Sequence, residues 1–229
     1  MKYKCLILDH DDTVVNSTGT IHYPCFVKYL TERHPEIADK YSEAEYFRKN
    51  FDPGVVEFFR EDVGLSAEEM KEEEAYWSDY VKEHIPEAFS GMKGLLAKFK
   101  SEGGFIAVSS HSYERYIKRD YRENKLTRPD VIYGWDLSPE LRKPSPYSVL
   151  MTMQKYGFSP SEVLVVDDLK PGYDMARVAG VDFAAAGWAY DVPEIEEFMR
   201  RKSDYYLKEV DDLYELLFGE RPKRKGKKN

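Results

Sequence analysis

Cysteine is scarce in this chain. Only Cys5 and Cys25 occur among 229 residues, one inside a short apolar run and one in the segment that follows it. Two cysteines placed in this way exclude a disulfide framework and a thiolate metal site, and they fit a reducing compartment. Long apolar runs are absent as well, since no stretch approaches the roughly twenty residues that a membrane span needs. The sequence therefore predicts a cytoplasmic protein with no membrane partner.

Positive charge is sparse outside the carboxyl end. The formal net charge is −8, although residues 221–229 hold six Lys and Arg residues and no acid. The rest of the chain is therefore strongly acidic, which argues against nucleic acid as a partner. We expect residues 219–229 to form a basic disordered tail, because they contain no apolar side chain to bury. No feature of the sequence predicts an obligate protein partner.

Apolar residues make up 42% of the chain, which is enough for a sizeable core. They recur in short runs at Leu6–Leu8, Phe105–Val108, Val131–Tyr133, Val163–Val166 and Val181–Ala186. Helix-like segments separate the later runs, and this alternation is typical of a parallel sheet with crossover helices. The predicted fold class is α/β, with a Rossmann-like parallel sheet core formed by residues 1–16 and 90–218.

Residues 17–89 interrupt this alternation, since they contain no convincing strand run and several helical patterns. Ser66 and Glu69 carry the signature of a capping box at the start of one helix. Further helices are predicted at Tyr23–Glu32, Glu43–Asn50 and Pro53–Asp62. We therefore expect a helical cap inserted after the first strand. The acidic run Glu68–Glu74 is interpreted as a solvated helix face.

Asp9, Asp11 and Thr13 alternate directly after the first apolar run. Ligands of an open parallel sheet bind beyond the carboxyl ends of its strands, and a carboxylate there can attack phosphorus as a covalent nucleophile. The second carboxylate is a candidate proton carrier. The motif is weak when taken alone, because acidic residues after a strand also cap helices.

Two further segments supply candidates for holding a phosphate. Ser109 and Ser110 follow the second apolar run, where a hydroxyl and an adjacent backbone N–H can hold a phosphate oxygen, although a helix cap is the alternative. Lys143 precedes a proline-initiated helix, and its compact ammonium group can neutralise a phosphate.

Asp167 and Asp168 follow the fourth apolar run. Paired carboxylates at a strand end are good ligands for a hard divalent cation such as Mg²⁺. If they converge with Asp9, Asp11 and Asp12, the carboxylates repel one another strongly unless a cation lies among them. The sequence therefore predicts a Mg²⁺ cofactor at this edge of the sheet.

These four motifs, in this order and each at a predicted strand end, resemble those of the haloacid dehalogenase superfamily over residues 1–20 and 90–215. The helical insertion resembles the cap of its phosphoglycolate phosphatase and beta-phosphoglucomutase branch. The resemblance implies that Asp9 attacks phosphorus and that Asp11 protonates the leaving oxygen and then activates water. It also implies that the phosphoryl group is held by Lys143 and by Ser109, with Ser110 beside it. The implied ligands of Mg²⁺ are Asp9, Asp167, Asp168 and the backbone carbonyl of Asp11.

Two positions depart from the family pattern. Asp12 stands where glycine is usual, and Asn16 stands where an acid is common. Asp12 either adopts a positive-φ turn, which Asp tolerates better than most residues, or adds negative charge near the metal.

The motifs predict a Mg²⁺-dependent phosphatase that hydrolyses a small phosphorylated metabolite through an aspartyl-phosphate intermediate. A phosphomutase of the beta-phosphoglucomutase type is the alternative, because it shares every core motif and differs in how its cap positions the substrate. A non-catalytic regulator that binds a phospholigand is a third interpretation, which the intact set of catalytic groups disfavours. His22 is the first candidate for substrate contact, since it lies close after the motif where the cap begins.

Overall fold

The computed structural model describes residues 1–222. Its strands are β1 (Cys5–Leu8), β2 (Val15–Asn16), β3 (Glu87–Ala88), β4 (Phe105–Ser109), β5 (Val131–Tyr133), β6 (Val163–Asp167), β7 (Asp182–Ala186) and β8 (Tyr205–Leu207). Six of them form a parallel sheet in the order β5, β4, β1, β6, β7, β8. The remaining two, β2 and β3, pair with each other in antiparallel fashion. All five predicted runs are strands, and the predicted parallel α/β sheet is confirmed.

The order of the strands reverses beside β1. The chain continues outward from β4 to β5 on one side, and from β6 to β7 and β8 on the other. A switch point of this kind opens a crevice at the carboxyl ends of the central strands. The crevice lies next to Asp9, because this residue directly follows β1.

Helices cover both faces of the sheet and make up most of the segment between β2 and β3, which we call the cap. They are α1 (Tyr23–Arg33), α2 (Glu43–Phe51), α3 (Val55–Glu57), α4 (Ala67–Glu83), α5 (Met92–Ser101), α6 (Glu114–Glu123), α7 (Tyr147–Tyr156), α8 (Lys170–Ala179), α9 (Pro193–Lys202) and α10 (Val210–Phe218). Alternate residues of β1 enter different apolar clusters, Leu6 and Leu8 on one face and Cys5 and Ile7 on the other. The sheet is therefore buried on both faces, as continuous apolar strands require.

The segment between β2 and β3 has an aromatic core of its own. Phe26 stacks on Phe59 and lies against Tyr46 and Phe58 in a cluster separate from those of the sheet. Two capping boxes fix the starts of its main helices, one at Ser42 before α2 and the predicted one at Ser66 before α4. Local sequence and aromatic packing together stabilise this helical unit.

Three details differ from the sequence analysis. The helix expected over Pro53–Asp62 begins only at Val55, after Gly54 with φ +110°, and continues as a π-helical segment over Phe58–Val63. The antiparallel pair of β2 and β3 consists of two residues in each strand, too short for a hydrophobic pattern. The edge strand β8 also lacks a recognisable strand pattern in the sequence, because two of its three residues are only half-buried.

The carboxyl end of the described chain contacts the body. Glu220 pairs with Lys98, and Arg221 pairs with Asp212 and Glu215. Residues 223–229, most of the segment expected to be disordered, lie outside the described residues. No helix within residues 1–222 combines the length and apolar character needed to cross a bilayer.

Candidate active site

Strand ends gather the predicted acidic residues in the crevice. The backbone N–H of Asp9 donates to the carbonyl of Val166 over 2.9 Å, which ties the residue after β1 to the adjacent strand β6. Asp167 ends β6 and Asp168 follows it. Because β1 and β6 are parallel neighbours, the side chains beyond their ends converge.

Lys143 connects two of these carboxylates. Its Nζ donates to Oδ1 of Asp9 over 2.8 Å and to Oδ2 of Asp167 over 2.6 Å, with all three side chains buried. Burial lowers the pKa of the ammonium group, but the charges of Asp167 and Asp9 outweigh burial and raise it. Lys143 is therefore a fixed cation at the floor of the crevice.

Asp9, Asp167 and Asp168 could together hold a metal ion. Each offers an oxygen, and these oxygens all lie within 4.8 Å of one another. Burial raises the pKa of Asp167 to about 7, with Lys143 opposing and Asp9 reinforcing the shift. The pKa of Asp168 is also raised, by burial and by the charges of Asp12 and Asp167. Three buried carboxylates with a single lysine lack positive charge, so the donor set fits a hard divalent cation.

Asp11 lies outside this carboxylate group. Its Oδ1 accepts from Ser17 Oγ over 2.7 Å and lies 3.0 Å from Nε2 of His22, while its Oδ2 accepts from Ser112 Oγ over 2.5 Å. Burial opposes ionisation of Asp11, but His22 and these hydrogen bonds lower its pKa well below the usual range. The two carboxylates of the first motif therefore occupy different environments, and such separation is typical of different chemical roles.

His22 belongs to the cap and contacts the core through Asp11. Its Nδ1 accepts from the indole N–H of Trp77 on α4 over 3.0 Å. The neutral ring therefore carries its proton on Nε2 and donates to Asp11. Burial lowers the pKa of His22, but the charge of Asp11, its hydrogen bond and the charges of Asp12 and Asp120 together outweigh burial and raise the pKa. Trp77 acts against that rise, because an imidazolium cannot accept its hydrogen bond.

Asp12 adopts the left-handed conformation that its position demands. Its φ is +54°, and its Oδ1 accepts from the backbone N–H groups of Ser17 and Thr18, each over 3.1 Å. Burial raises its pKa to about 6. Both alternatives from the sequence hold, since Asp12 makes the positive-φ turn and also places negative charge beside Asp168.

The two predicted serines lie in different places, Ser110 in the crevice and Ser109 in the protein interior. Ser110 lines the crevice, whereas the hydroxyl of Ser109 lies 2.9 Å from Ser148 Oγ and next to Met175. His111 also lines the crevice, with Nε2 at 3.1 Å from the carbonyl of Lys143. Burial and the charge of Lys143 lower the pKa of His111 to about 4, so this ring is neutral and donates to that carbonyl.

A cavity of about 400 Å³ lies over these groups, between the core and the cap. The core side contributes Asp9, Asp11, Ser110 and Lys143, and the cap side contributes His22, Asn50, Glu73, Glu74, Trp77 and a group of apolar residues. Tyr23, Lys49 and Arg60, which are other polar residues of the cap, do not line it. Residues from both units therefore enclose the space next to Asp9.

One face of α4 lines the cavity and is not among the predicted site residues. Glu68 and Glu72 are exposed, as expected for a solvated face, but Glu73 and Glu74 line the cavity. The sequence places these residues on one helix face, because Met70, Glu73, Glu74 and Trp77 follow the i, i+3, i+4, i+7 spacing, but this spacing does not indicate what the face packs against. Trp135 and Arg142, which also line the cavity, come from a loop without any periodic pattern.

The chain belongs to the haloacid dehalogenase-like hydrolase family, whose model matches residues 6–186. A phosphoglycolate phosphatase of Aquifex aeolicus is 31% identical over 123 residues, which cover 53% of this chain and 55% of that protein. Phosphoglycolate phosphatase 1 of Pseudomonas aeruginosa is 30% identical over 131 residues, which cover 56% of this chain and 48% of that protein. The chain thus spans about half the length of the curated relatives it matches.

Solved structures share the fold at lower identity. A HAD family hydrolase of Deinococcus radiodurans, crystallised with bound phosphate and sodium, superimposes with a TM-score of 0.68 at 20% identity. The superposition covers 94% of this chain and 95% of that one. It therefore includes the cap as well as the sheet.

Proposed function

We propose that this protein hydrolyses phosphomonoesters of small metabolites through an aspartyl phosphate on Asp9. The observation that carries the proposal is Lys143, which holds Asp9 and Asp167 by two short hydrogen bonds in a buried crevice. Phosphoryl transfer depends on positioning and charge neutralisation. A buried lysine that holds the proposed nucleophile supports the proposal, because it fixes Asp9 and brings positive charge next to it. The curated relatives, named as phosphoglycolate phosphatases, support the same reaction class.

Asp9 and Asp11 divide the reaction. A carboxylate oxygen of Asp9 forms a bond to phosphorus while the bond from phosphorus to the leaving oxygen breaks. Asp11, which is ionised in the free protein, takes up a proton when the anionic phosphate binds beside it, and it gives that proton to the leaving oxygen. Asp11, now ionised, takes a proton from water as the water oxygen attacks phosphorus and the Asp9 oxygen departs. Phosphate and the free alcohol leave, and both carboxyl groups return to their starting states.

Side chains around Asp9 hold the transferred group. Lys143 neutralises phosphoryl oxygens, and Ser110 donates its hydroxyl, in preference to Ser109, whose hydroxyl lies next to Ser148 and Met175. Asp9, Asp167 and Asp168 would hold Mg²⁺, with the backbone carbonyl of Asp11 as a further predicted ligand. When bound, the ion supplies positive charge that offsets the carboxylates and the phosphoryl oxygens.

Charge pairing in the cap favours hydrolysis over the mutase alternative. A mutase must hold a second phosphate group, which requires free cations near the cavity. Lys28, Arg33, Lys49 and Arg60 each form an ion pair with a cap carboxylate, and Arg48 pairs with Glu194. Of the cap cations only Lys71 lines the cavity.

Substitution of the nucleophile tests the proposal. Asp9→Asn should reduce hydrolysis of p-nitrophenyl phosphate with Mg²⁺ to the background rate, because an amide is a poor nucleophile. Asp39→Asn, at an exposed cap position, is the matched control and should retain full activity. A folded Asp9→Asn protein with near-normal turnover, judged by circular dichroism and steady-state rates, would refute the aspartyl-phosphate route.

A further inference from the structure

The cavity extends well beyond the space that a phosphoryl group needs. Its far wall, on the cap side, is formed by apolar and aromatic side chains, namely Tyr46, Phe47, Val55, Val56, Phe59 and Met70. Apolar walls of this kind gain free energy by covering apolar ligand surface. The leaving group therefore meets a mainly apolar surface.

Two carboxylates of α4 enter the same cavity. Glu74 is held by its neighbours, because its Oε1 accepts from the hydroxyl of Tyr113 over 2.5 Å and from the indole N–H of Trp135 over 2.8 Å. Glu73 forms no hydrogen bond or ion pair with any residue in 1–222. Burial and the charge of Glu74 raise the pKa of Glu73 to about 8. Glu73 is half-buried, and a carboxylate that lines a cavity without a partner calls for a cation or a hydrogen-bond donor.

None of the Lys and Arg side chains that line the cavity is paired with Glu73 among the described residues. Lys143 is held by Asp9 and Asp167. The guanidinium group of Arg142 lies 3.7 Å from the ring centre of Trp135, and its Nε donates to the carbonyl of Leu137. Lys71 is exposed. His22, whose charge opposes the rise in the Glu73 pKa, is paired with Asp11. Each cationic group that lines the cavity within residues 1–222 is therefore held by another residue or exposed, and none is paired with Glu73.

We propose that the substrate is a phosphomonoester whose alcohol carries an apolar body and a protonated amine, with the amine paired to Glu73. This inference rests on the proposed function, because it names the substrate class of the same site. The apolar body lies against the cap wall, and the ammonium group supplies the missing partner of the carboxylate. A glycolate leaving group would instead bring a second carboxylate close to Glu73 and Glu74, and like charges in a cavity repel.

Three aryl phosphates with matched leaving groups test the charge preference. They are the phosphates of tyramine, 4-ethylphenol and 3-(4-hydroxyphenyl)propionate, which end in an ammonium group, a methyl group and a carboxylate. Because the ring and the ester bond are the same, differences in kcat/KM report on the terminal group. Each ester is assayed with the full chain and Mg²⁺, beside 2-phosphoglycolate, in the wild type, in Glu73→Gln and in Asp79→Asn. Asp79 is exposed on the same helix, so its substitution removes one negative charge at a distance from the cavity.

The wild type should favour the tyramine ester over the carboxylate ester by about tenfold or more in kcat/KM, as expected for one buried charge-assisted pair. Glu73→Gln should remove that preference, so that the ratio of kcat/KM between the tyramine ester and the carboxylate ester falls to about one. Asp79→Asn should retain the preference. Equal rates on all three aryl esters, or faster hydrolysis of the carboxylate ester or of phosphoglycolate, would overturn this inference while leaving the phosphatase intact. Failure to hydrolyse any of the four esters would overturn the proposed function and this inference with it.

Discussion

Trp77 donates its indole N–H to Nδ1 of His22 over 3.0 Å, while Nε2 of the same ring lies 3.0 Å from Asp11. An indole can only donate and an ionised carboxylate can only accept. The neutral imidazole between them therefore has one possible tautomer. A cap residue thus fixes the orientation of the group that contacts the proposed proton carrier.

Removal of this indole donor should raise the pKa of His22. Trp77→Phe retains an aromatic ring but frees Nδ1 to take a proton, and the negative charge of Asp11 then favours the imidazolium. Nitrogen-15 chemical shifts of labelled histidine, followed through a pH titration, give both the tautomer and the pKa. We also expect kcat to fall about fivefold, since one hydrogen bond is worth about 1 kcal/mol.

Trp135→Phe is the control for Trp77→Phe, because Trp135 donates to Glu74 and not to a histidine. It should leave the His22 titration unchanged. An Nδ1–H tautomer of neutral His22 in the wild type would contradict the assignment.

Mg²⁺ should stabilise the protein, and more strongly at pH 8 than at pH 5.5. The pKa of Asp167 is about 7 in the folded protein, above the value of about 4 in an unfolded chain. In chelator, the stability contributed by its protonated form is complete below about pH 4 and is lost as the pH rises through 7. Metal binding requires the ionised form, so it restores stability in the upper part of this range.

Thermal melts with Mg²⁺ and with chelator at the two pH values measure this effect. A concentration one hundred times Kd gives about 2.7 kcal/mol of stabilisation. Asp168→Asn should abolish the Mg²⁺-dependent rise, whereas Asp174→Asn, at a position away from the carboxylate group, should retain it. A wild-type protein with no response to Mg²⁺ at pH 8 would remove Mg²⁺ from the proposal.

Arg119 should contribute to the stability of the contact between core and cap. Its Nε donates to Asp120 on α6, and its guanidinium donates to the carbonyls of Val81, Lys82 and His84 at the end of α4. We expect Arg119→Met to lower the free energy of unfolding by about 1–3 kcal/mol, as for the loss of hydrogen bonds from a charged group. Urea denaturation measures the loss. Arg122→Met, on the exposed side of α6, is the control and should change the free energy of unfolding by less than about 0.5 kcal/mol. Equal effects of the two variants would exclude the contact of Arg119 with the end of α4 as a source of stability.

Asp12→Ala should be less stable than Asp12→Gly. Both variants lose the two hydrogen bonds to Ser17 and Thr18, but only alanine bears a Cβ in the left-handed region, at a cost of about 1–2 kcal/mol. Asp12→Asn keeps an acceptor oxygen and should be the most stable of the three. Urea denaturation of the three variants gives the order, and an alanine variant as stable as the glycine variant would show that the backbone there relaxes.

The strands and the acidic residues at their ends could be predicted because their signals are local. Asp9, Asp167 and Asp168 follow continuous apolar runs, and parallel strands place such residues at one sheet edge. Capping boxes are equally local, which is why the start of α4 at Ser66 was found.

The cavity wall could not be predicted in the same way. Whether Glu73 faces solvent or the cavity depends on which face of α4 packs over the core, and this is decided by tertiary contacts. Which of Ser109 and Ser110 faces the crevice is also decided by tertiary contacts. The Ser109 hydroxyl lies next to Ser148 and Met175, and both residues are far from Ser109 along the chain.

The pairing of Val15–Asn16 with Glu87–Ala88 brings together the two points where the chain leaves and rejoins the sheet region. Adjacent antiparallel strands lie about 5 Å apart, so the mouth of the inserted loop has a fixed width whatever its contents. The entropy of closing a flexible loop grows only with the logarithm of its length, by about 0.6 kcal/mol for each doubling. The entropic cost of closing the inserted loop is therefore nearly independent of the length of the insertion. The cap can lengthen or change its sequence while the carboxylates beneath it keep their positions.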